Sequence, residues 1–468
     1  MIDIRKVSFG YAREGDTLKN INLHVAAGEC VLLCGKSGCG KTTLTKLVNG
    51  LIPHFTESGR LEGTVVAAGM EVARTELYEL SKRIGSVFQN PKSQFFNLDS
   101  DAELAFGLEN IGASPEQMKK RLRDTVEELK IARLEHRSIF TMSGGEKQAL
   151  AFASVYAMNP DIYVLDEPTA NLDAEAIAVL KRQLGEIKRQ GKTVLIAEHR
   201  LYFLTDLIDR AVYMEDGEIV CIYTREEFLA LPEERRVKMG LRTLRREIRG
   251  TSVSTPCEDG SELEVRELCC ELKGSRIIDR VSFSARGGEV VGITGGNGAG
   301  KSTLMRCLAG LLKEKSGAVL LGGKALKPRR RTGACFCVMQ DVNHQLFSDS
   351  VWNECELSAA DGGGQEIERV LTEFDLQSWK ESHPMALSGG QKQRLAIASG
   401  VLTDRRVLIF DEPTSGLDYG HMLAAGRMIK KLAEDGHIVL VVTHDTEFLD
   451  CACDRIITLT MDGAVKEA

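Results

Sequence analysis

Gly35-Lys36-Ser37-Gly38-Cys39-Gly40-Lys41-Thr42 and Gly295-Gly296-Asn297-Gly298-Ala299-Gly300-Lys301-Ser302 are two copies of one loop in a chain of 468 residues. Each follows a short apolar run, Val31-Leu32-Leu33-Cys34 and Val290-Val291-Gly292-Ile293. A glycine-rich turn after a strand offers backbone N–H groups to phosphate oxygens, because glycine admits angles that a Cβ forbids. The lysines, Lys41 and Lys301, reach the β- and γ-phosphates, while Thr42 and Ser302 ligate Mg²⁺. Thr43 and Thr303 carry each loop into a helix whose N-terminal dipole faces the same anion. Two occurrences, each behind a strand signal, argue for nucleotide phosphate binding over a mere flexible turn.

Outward from these loops the chain repeats itself in order. Ser143-Gly144-Gly145-Glu146 recurs as Ser388-Gly389-Gly390-Gln391, and Leu165-Asp166-Glu167-Pro168-Thr169 as Phe410-Asp411-Glu412-Pro413-Thr414. Ala197-Glu198-His199 recurs as Val442-Thr443-His444. This is a duplication. The unalternating runs Ile162–Leu165, Val194–Ala197, Val407–Phe410 and Ile438–Val442 predict strands buried on both faces, as in a parallel sheet sandwiched by helices. Ligands bind such sheets beyond the carboxyl ends of the strands, where the polar motif residues fall.

Asp166 and Asp411 end apolar strands, where a carboxylate is costly unless it serves a cation. They are the expected Mg²⁺-associated acids, and Glu167 and Glu412 follow as general bases for an attacking water. Helix capping is the bland alternative, disfavoured by the repeat and the downstream Pro-Thr.

The bulk composition weighs against other classes. With 43% hydrophobic and 27% charged residues the chain can bury large cores, and a net charge of −7 gives no global field for nucleic acid. No window approaches the roughly 18–20 apolar residues of a membrane span, and the start Met1-Ile2-Asp3-Ile4 reads as a strand, not a leader. The expectation is a cytosolic chain whose 13 cysteines are reduced, partly buried thiols. Residues 224–261 read as a linker. Pro232–Arg236 and Leu241–Glu247 predict short charged helices with solvated faces, and Gly250–Gly260 a flexible Ser/Thr/Gly stretch.

Leu387-Ser388-Gly389-Gly390-Gln391-Lys392-Gln393-Arg394 is similar to the signature of ABC ATPases, and the first half carries Met142-Ser143-Gly144-Gly145-Glu146-Lys147-Gln148-Ala149. The resemblance covers nearly the whole chain outside the linker. It implies an α/β fold of two P-loop NTPase domains in tandem, residues 1–223 and 262–468. Each would be a mainly parallel sheet with flanking helices plus a helical signature subdomain. It implies ATP and Mg²⁺ as ligands, with Gln89 and Gln340 touching Mg²⁺ and water. His199 and His444 would contact the γ-phosphate, and Asp173 and Asp418 match the D-loop. Ser143, Gly144 and Gly145 of one domain, and Ser388, Gly389 and Gly390 of the other, would close over ATP held by the opposite half. Tyr11 suits the aromatic that stacks on adenine. Leu272 falls at that register in the second half, so the two sites are expected to be unequal.

The segments after the two glutamines, Asn90-Pro91-Lys92-Ser93-Gln94-Phe95-Phe96 and Asp341-Val342-Asn343-His344-Gln345-Leu346-Phe347, resemble the ATPase subunits of energy-coupling factor (ECF) transporters. So does Asp101-Ala102-Glu103-Leu104-Ala105-Phe106-Gly107. That resemblance implies a peripheral ATPase on the cytoplasmic side of the plasma membrane. It would power vitamin or metal uptake with a membrane T component and a substrate-binding S component. Asp101, Glu103, Asp349, Glu354 and Glu356 would face basic coupling helices of the T component. The alternatives are an ABC-F translation factor, which wants a long charged helical linker, and a tandem sugar-importer ATPase, in which one half is commonly degenerate. The cargo is not written in these residues.

Overall fold

The computed structural model describes all residues except 12–14, 57–58, 171, 246–261, 273, 297, 360–362, 461–464 and 468, and the side chains of 275, 466 and 467. The chain divides into two units, Met1–Arg245 and Arg246–Ala468. Asn171, Asn297 and the Gly250–Gly260 stretch lie outside the described residues.

In the first unit the expected parallel strands form one sheet. Cys30–Gly35 lies between Thr193–Ala197 and Arg210–Glu215, with Ile162–Asp166 and Ile84–Val87 continuing on the Thr193 side. Only the edge strand Glu218–Thr224 runs antiparallel. The second unit repeats this with Val290–Thr294 between Ile438–Val442 and Arg455–Leu459, then Val407–Asp411 and Cys335–Val338. The apolar runs are fully buried, as strands covered on both faces must be.

Each unit adds a second, four-stranded antiparallel sheet that the sequence reading did not separate. It is Asp16–Val25, Ile2–Gly10, Arg60–Ala67 and Met70–Glu71 in the first unit, and Ser275–Arg286, Glu262–Leu272, Ser316–Leu321 and Lys324–Ala325 in the second. Its strands alternate buried and exposed residues and carry register shifts, so their pattern is weaker than the continuous runs of the parallel sheet. The helical part of each unit packs Ser100–Asn110, Pro115–Leu129 and Gly144–Ala157, or Val351–Ser358, Gly364–Glu373 and Gly389–Val401.

The early part of the expected linker belongs to the first unit. Phe228, Met239 and Leu241 are buried in its core, and Glu233–Lys238 is helical as predicted. Residues 241–245 are not a helix, and residues 246 and 247 of that expected helix lie outside the described residues; the expected solvated face holds for Glu233, Glu234, Arg235, Lys238 and Arg245 and is corrected for two arginines. Arg236 and Arg242 are buried, with Arg236 Nη1 donating to the carbonyl of Leu241 at 2.6 Å. Burying Leu241 draws the backbone inward, so the basic side chains follow it. Every described cysteine is a free thiol. Among the described residues no helix is long and apolar enough to cross a membrane.

Candidate functional site

Both glycine loops join the central strand of the parallel sheet to a helix, Lys41–Val48 or Lys301–Leu308. The first glycine is obligatory. Gly35 has φ +148°, and a Cβ there would sit 2.1 Å from the carbonyl oxygen of Met214; Gly295 has φ +150° and would meet Leu459 O at 2.3 Å. The lysines turn back into the loop. Lys41 Nζ donates to the carbonyls of Gly35 (3.0 Å) and Lys36 (2.9 Å), and Lys301 Nζ to Gly295 (2.8 Å) and Gly296 (3.0 Å). A buried ammonium needs such acceptors. Phosphate oxygens, being charged, would make stronger ones.

The expected Mg²⁺ ligands meet in each unit. Thr42 Oγ1 donates to Asp166 Oδ1 at 3.0 Å, and Ser302 Oγ to Asp411 Oδ2 at 3.2 Å. Burial, with Glu167 beside it, pushes Asp166 up to about 6, and burial likewise raises Asp411. A hydroxyl and a buried carboxylate that holds its charge reluctantly are a donor set that a hard divalent cation fits.

Glu167 and Glu412 take the left-handed backbone conformation, φ +44° and +51°, directly after a strand. Non-glycine residues hold it at a cost of about 1–3 kcal/mol, and it clusters at sites where a side chain must be aimed. Each is fixed by its own N–H, donating to Ala197 O or Val442 O at 2.8 Å. In the first unit Gln89 Nε2 donates to Glu167 Oε2 at 3.0 Å, and His199 Nε2 lies 3.2 Å from Oε1. The structure therefore brings Thr42, Gln89, Asp166, Glu167 and His199 together.

The second unit assembles differently. Thr443 Oγ1 donates to Glu412 Oε2 at 2.9 Å, and His444 N to Oε1 at 3.2 Å, while His444 Nε2 stands off at 3.8 Å. Gln340 makes no bond to Glu412. The first unit has Glu198 where the second has Thr443, and Arg200 where it has Asp445. The carboxylate has moved across the histidine and kept its partner. Glu198 accepts from Thr169 Oγ1 (2.7 Å), as Asp445 does from Thr414 Oγ1 (2.9 Å). Burial raises the Glu198 carboxyl.

Ser143 and Ser388 cap the helices Gly144–Ala157 and Gly389–Val401 in full capping boxes, which set Gly144–Gly145 and Gly389–Gly390 at helix N-termini. Glu146 closes the first box and binds Arg137 at 2.6 Å; burial opposes its ionisation, but the Ser143 N–H and Arg137 outweigh that and lower it. Gln391 closes the second without charge. Asp173 and Asp418 are likewise N-caps, accepting from Ala176 and His421. Tyr11 packs edge-on against Phe9 at 4.9 Å, and Leu272 is exposed.

Two of the five acids expected to face a partner do not. Glu103 is 3% exposed and accepts from the backbones of Phe96 (3.1 Å) and Asn97 (2.9 Å). Glu354 is 5% exposed and accepts from Phe347 (3.0 Å) and Ser348 (2.8 Å). They are inward because a turn of backbone N–H groups has no other acceptor. Their work is to turn Phe96 and Phe347 outward, 74% and 76% exposed. Gln94 and Gln345 hold the same turns from behind, each bridging the preceding strand through an N–H and a carbonyl. Asp101 is bound to the N–H and ring of His136. Asp349 and Glu356 are exposed. Sequence reasoning missed Glu198, Arg200 and the exposed pair Phe140 and Met385, which occupy matching places in the two halves.

Comparison with known proteins agrees with this geometry. The ABC transporter family model matches residues 18–170 and 278–415. An ABC transporter ATP-binding protein of Treponema denticola is 48% identical over 474 residues, covering 100% of this chain and 97% of its own. YkoD of Bacillus subtilis, whose name assigns it to HMP/thiamine import, is 32% identical over 499 residues, covering 99% and 90%. Among solved structures, the archaeal ribosome recycling factor aABCE1, crystallised with a ribosomal stalk protein, aligns with a TM-score of 0.65 at 22% identity, covering 97% and 87%. At that identity the likeness is one of fold: two ABC ATPase domains in tandem.

Proposed function

We propose that this chain, which belongs to the ABC transporter family, is the ATP-hydrolysing subunit of an ECF-type importer, powering vitamin or metal uptake through separate membrane T and S components. The observation that carries the reading is the pair of aromatic corners that follow Gln89 and Gln340. Phe96 is stacked on Phe106 at 5.0 Å, and its segment is bonded to that of Phe140 through Ile139 N and Leu98 O (3.0 Å). Leu98 and Phe140 are exposed with it, as are Phe347 and Met385 in the second unit. Large exposed apolar groups on a buried polar scaffold mark a contact surface. The HMP/thiamine import name of YkoD, a full-length relative, supports the same direction.

In this reading Gly35–Thr43 and Gly295–Thr303 cradle the ATP phosphates, with Lys41 and Lys301 on the β- and γ-phosphates. Thr42 with Asp166, and Ser302 with Asp411, hold Mg²⁺, aided by Gln89 and Gln340. When bound, Mg²⁺ neutralises charge on the phosphate oxygens. Glu167 and Glu412 orient the attacking water and accept its proton, each held by the backbone bond that its left-handed conformation aligns. His199 and His444 stand beside them to contact the γ-phosphate. Ser143–Gly145 and Ser388–Gly390 offer helix N-terminal N–H groups to phosphate. Tyr11 stacks on adenine in the first unit, and Leu272 leaves the second without that contact.

The test is recovery of the tagged full chain from host membranes, with mild crosslinking, beside Phe96→Ser and Phe347→Ser. The expected result is an integral membrane protein with basic cytoplasmic helices, lost in the variants. Recovery on ribosomes would instead establish the translation-factor reading.

A further inference from the structure

Arg329, Arg330, Arg405 and Arg406 line an open cleft of about 560 Å³ in the second unit, with Asp404 the one acid and Leu326 on an apolar wall. The cleft lies where the helix Pro328–Ala334 enters the strand Cys335–Val338 and where the chain enters Val407–Asp411. It is thus at the amino ends of the parallel strands, opposite the edge that carries Asp411 and Gly295. All four arginines are exposed, and none has an ion-pair partner among the described residues. Arg405 donates to the carbonyl of Gly333, and its own carbonyl meets His437 Nδ1 at 2.7 Å, which fixes the loop. The neighbouring Arg331 is fully buried and pairs with Glu314, which pins the helix that presents Arg329 and Arg330.

The first unit is an internal control. Registering the halves on Gln89 and Gln340 sets Tyr78 and Glu79 against Arg329 and Arg330. Registering them on Asp166 and Asp411 sets Pro160 and Asp161 against Arg405 and Arg406. In the first unit the acids are paired, Glu79 with Lys82 at 2.8 Å, and Asp161 with Arg83 and with Lys192 at 3.8 Å. The same corner of the fold is self-neutralised in one unit and left with clustered guanidinium groups in the other. The corner therefore folds without arginines, and their accumulation calls for a ligand that offsets their mutual repulsion.

We propose that this cleft binds an anion bearing two or more phosphates. Guanidinium is a planar fork that grips phosphate oxygens in pairs. Four arginines against one aspartate leave an excess of three positive charges, which a single carboxylate would not balance. The volume is in the range of pockets that take small ligands. The phosphates can come from a soluble metabolite or from a diphosphate lipid headgroup.

The experiment titrates the full chain with inorganic pyrophosphate by calorimetry, beside a variant given the first unit's acids, Arg330→Glu with Arg406→Asp. Both chains keep the same glycine loops, so the difference isolates the cleft. The expected result is one binding event weakened about tenfold or more, with a smaller salt dependence. Sedimentation with phosphatidylcholine vesicles, with and without cardiolipin, forms the second arm. Loss of pyrophosphate binding alone assigns the site to a soluble ligand, and loss of cardiolipin-dependent sedimentation assigns it to lipid. Unchanged binding in both arms overturns the proposal. If the reversal unfolds the chain, Arg330→Gln with Arg406→Gln replaces it under the same criteria.

Discussion

Arg200 Nη1 donates to the carbonyl of Leu172 at 2.9 Å, tying the residue after His199 to the turn that leads into Asp173. In the second unit Asp445 holds that position and accepts from Phe448 N, capping the helix Thr446–Ala452. An arginine cannot cap a helix N-terminus. In the first unit residues 202–207 accordingly form turns and no helix.

Arg200→Ala removes a charged donor from two buried carbonyls, Leu172 and Thr169. A loss of about 1.5–3 kcal/mol is expected in denaturant unfolding. The exchange Glu198→Thr with Arg200→Asp installs the second unit's pattern. It is expected to increase amide protection over residues 202–207 in hydrogen exchange, because a cap becomes available.

Glu103→Ala leaves the N–H groups of Phe96 and Asn97 without their acceptor in a part-buried turn, at about 1–3 kcal/mol in all. Glu103→Gln keeps an acceptor and is expected to cost less than half as much. Thermal unfolding of both variants measures this. Asp101→Lys, which loses the bonds to His136 and puts a cation in the first turn of a helix, is expected to cost about 1–2 kcal/mol.

Asp166 is raised to about 6 by burial and by Glu167, above its ordinary 3.8. The folded state then binds more protons than the unfolded state between about pH 4 and 6, so this group's contribution to stability falls as pH rises through that window. In Mg²⁺-free solution, Asp166→Asn is expected to flatten the pH dependence of unfolding there. If Asp166 holds Mg²⁺ as proposed, binding of MgATP is expected to weaken below about pH 6 in the Lys301→Ala chain, which reports the first unit.

Glu167→Gln and Glu412→Gln are expected to reduce ATP hydrolysis unequally, Glu167→Gln by about 10²-fold or more and Glu412→Gln by less. The reason is the kind of contact: Gln89 and the His199 ring at 3.2 Å lie on the Glu167 carboxylate, whereas Thr443 and the His444 N–H hold Glu412 and the His444 ring stands 3.8 Å away. Equal losses would show that these differences in the resting geometry do not matter to the reaction.

The parallel sheet, the glycine loops and the Asp-Glu pairs were legible because buried strands, obligatory glycines and duplicated polar residues at strand ends leave strong local patterns. The antiparallel sheet was not, since bulged, half-exposed strands look like loops. Glu103 and Glu354 were misread for a different reason. A carboxylate in a helix is normally solvated, and only the fold supplies the backbone N–H groups that draw these two inward. Leu241–Arg245 failed in the same way: its charges suggested a surface helix, while the burial of Leu241 decided its path. Arg200 and Glu198 were visible as departures between the halves, but their exchange of roles depends on the position of Thr169.

The buried carboxylates at 103 and 354 divide labour within each corner. Backbone course is set from inside, by a buried carboxylate, while the side chains at 96, 98, 140, 347 and 385 project outward, Phe96 resting on Phe106. Substitution at these tips can therefore alter what the corner recognises without altering where it stands. A duplicated chain has two such tips in one gene, each free to drift alone, so one ATPase can come to present two unlike contact surfaces by point changes that leave its engine intact.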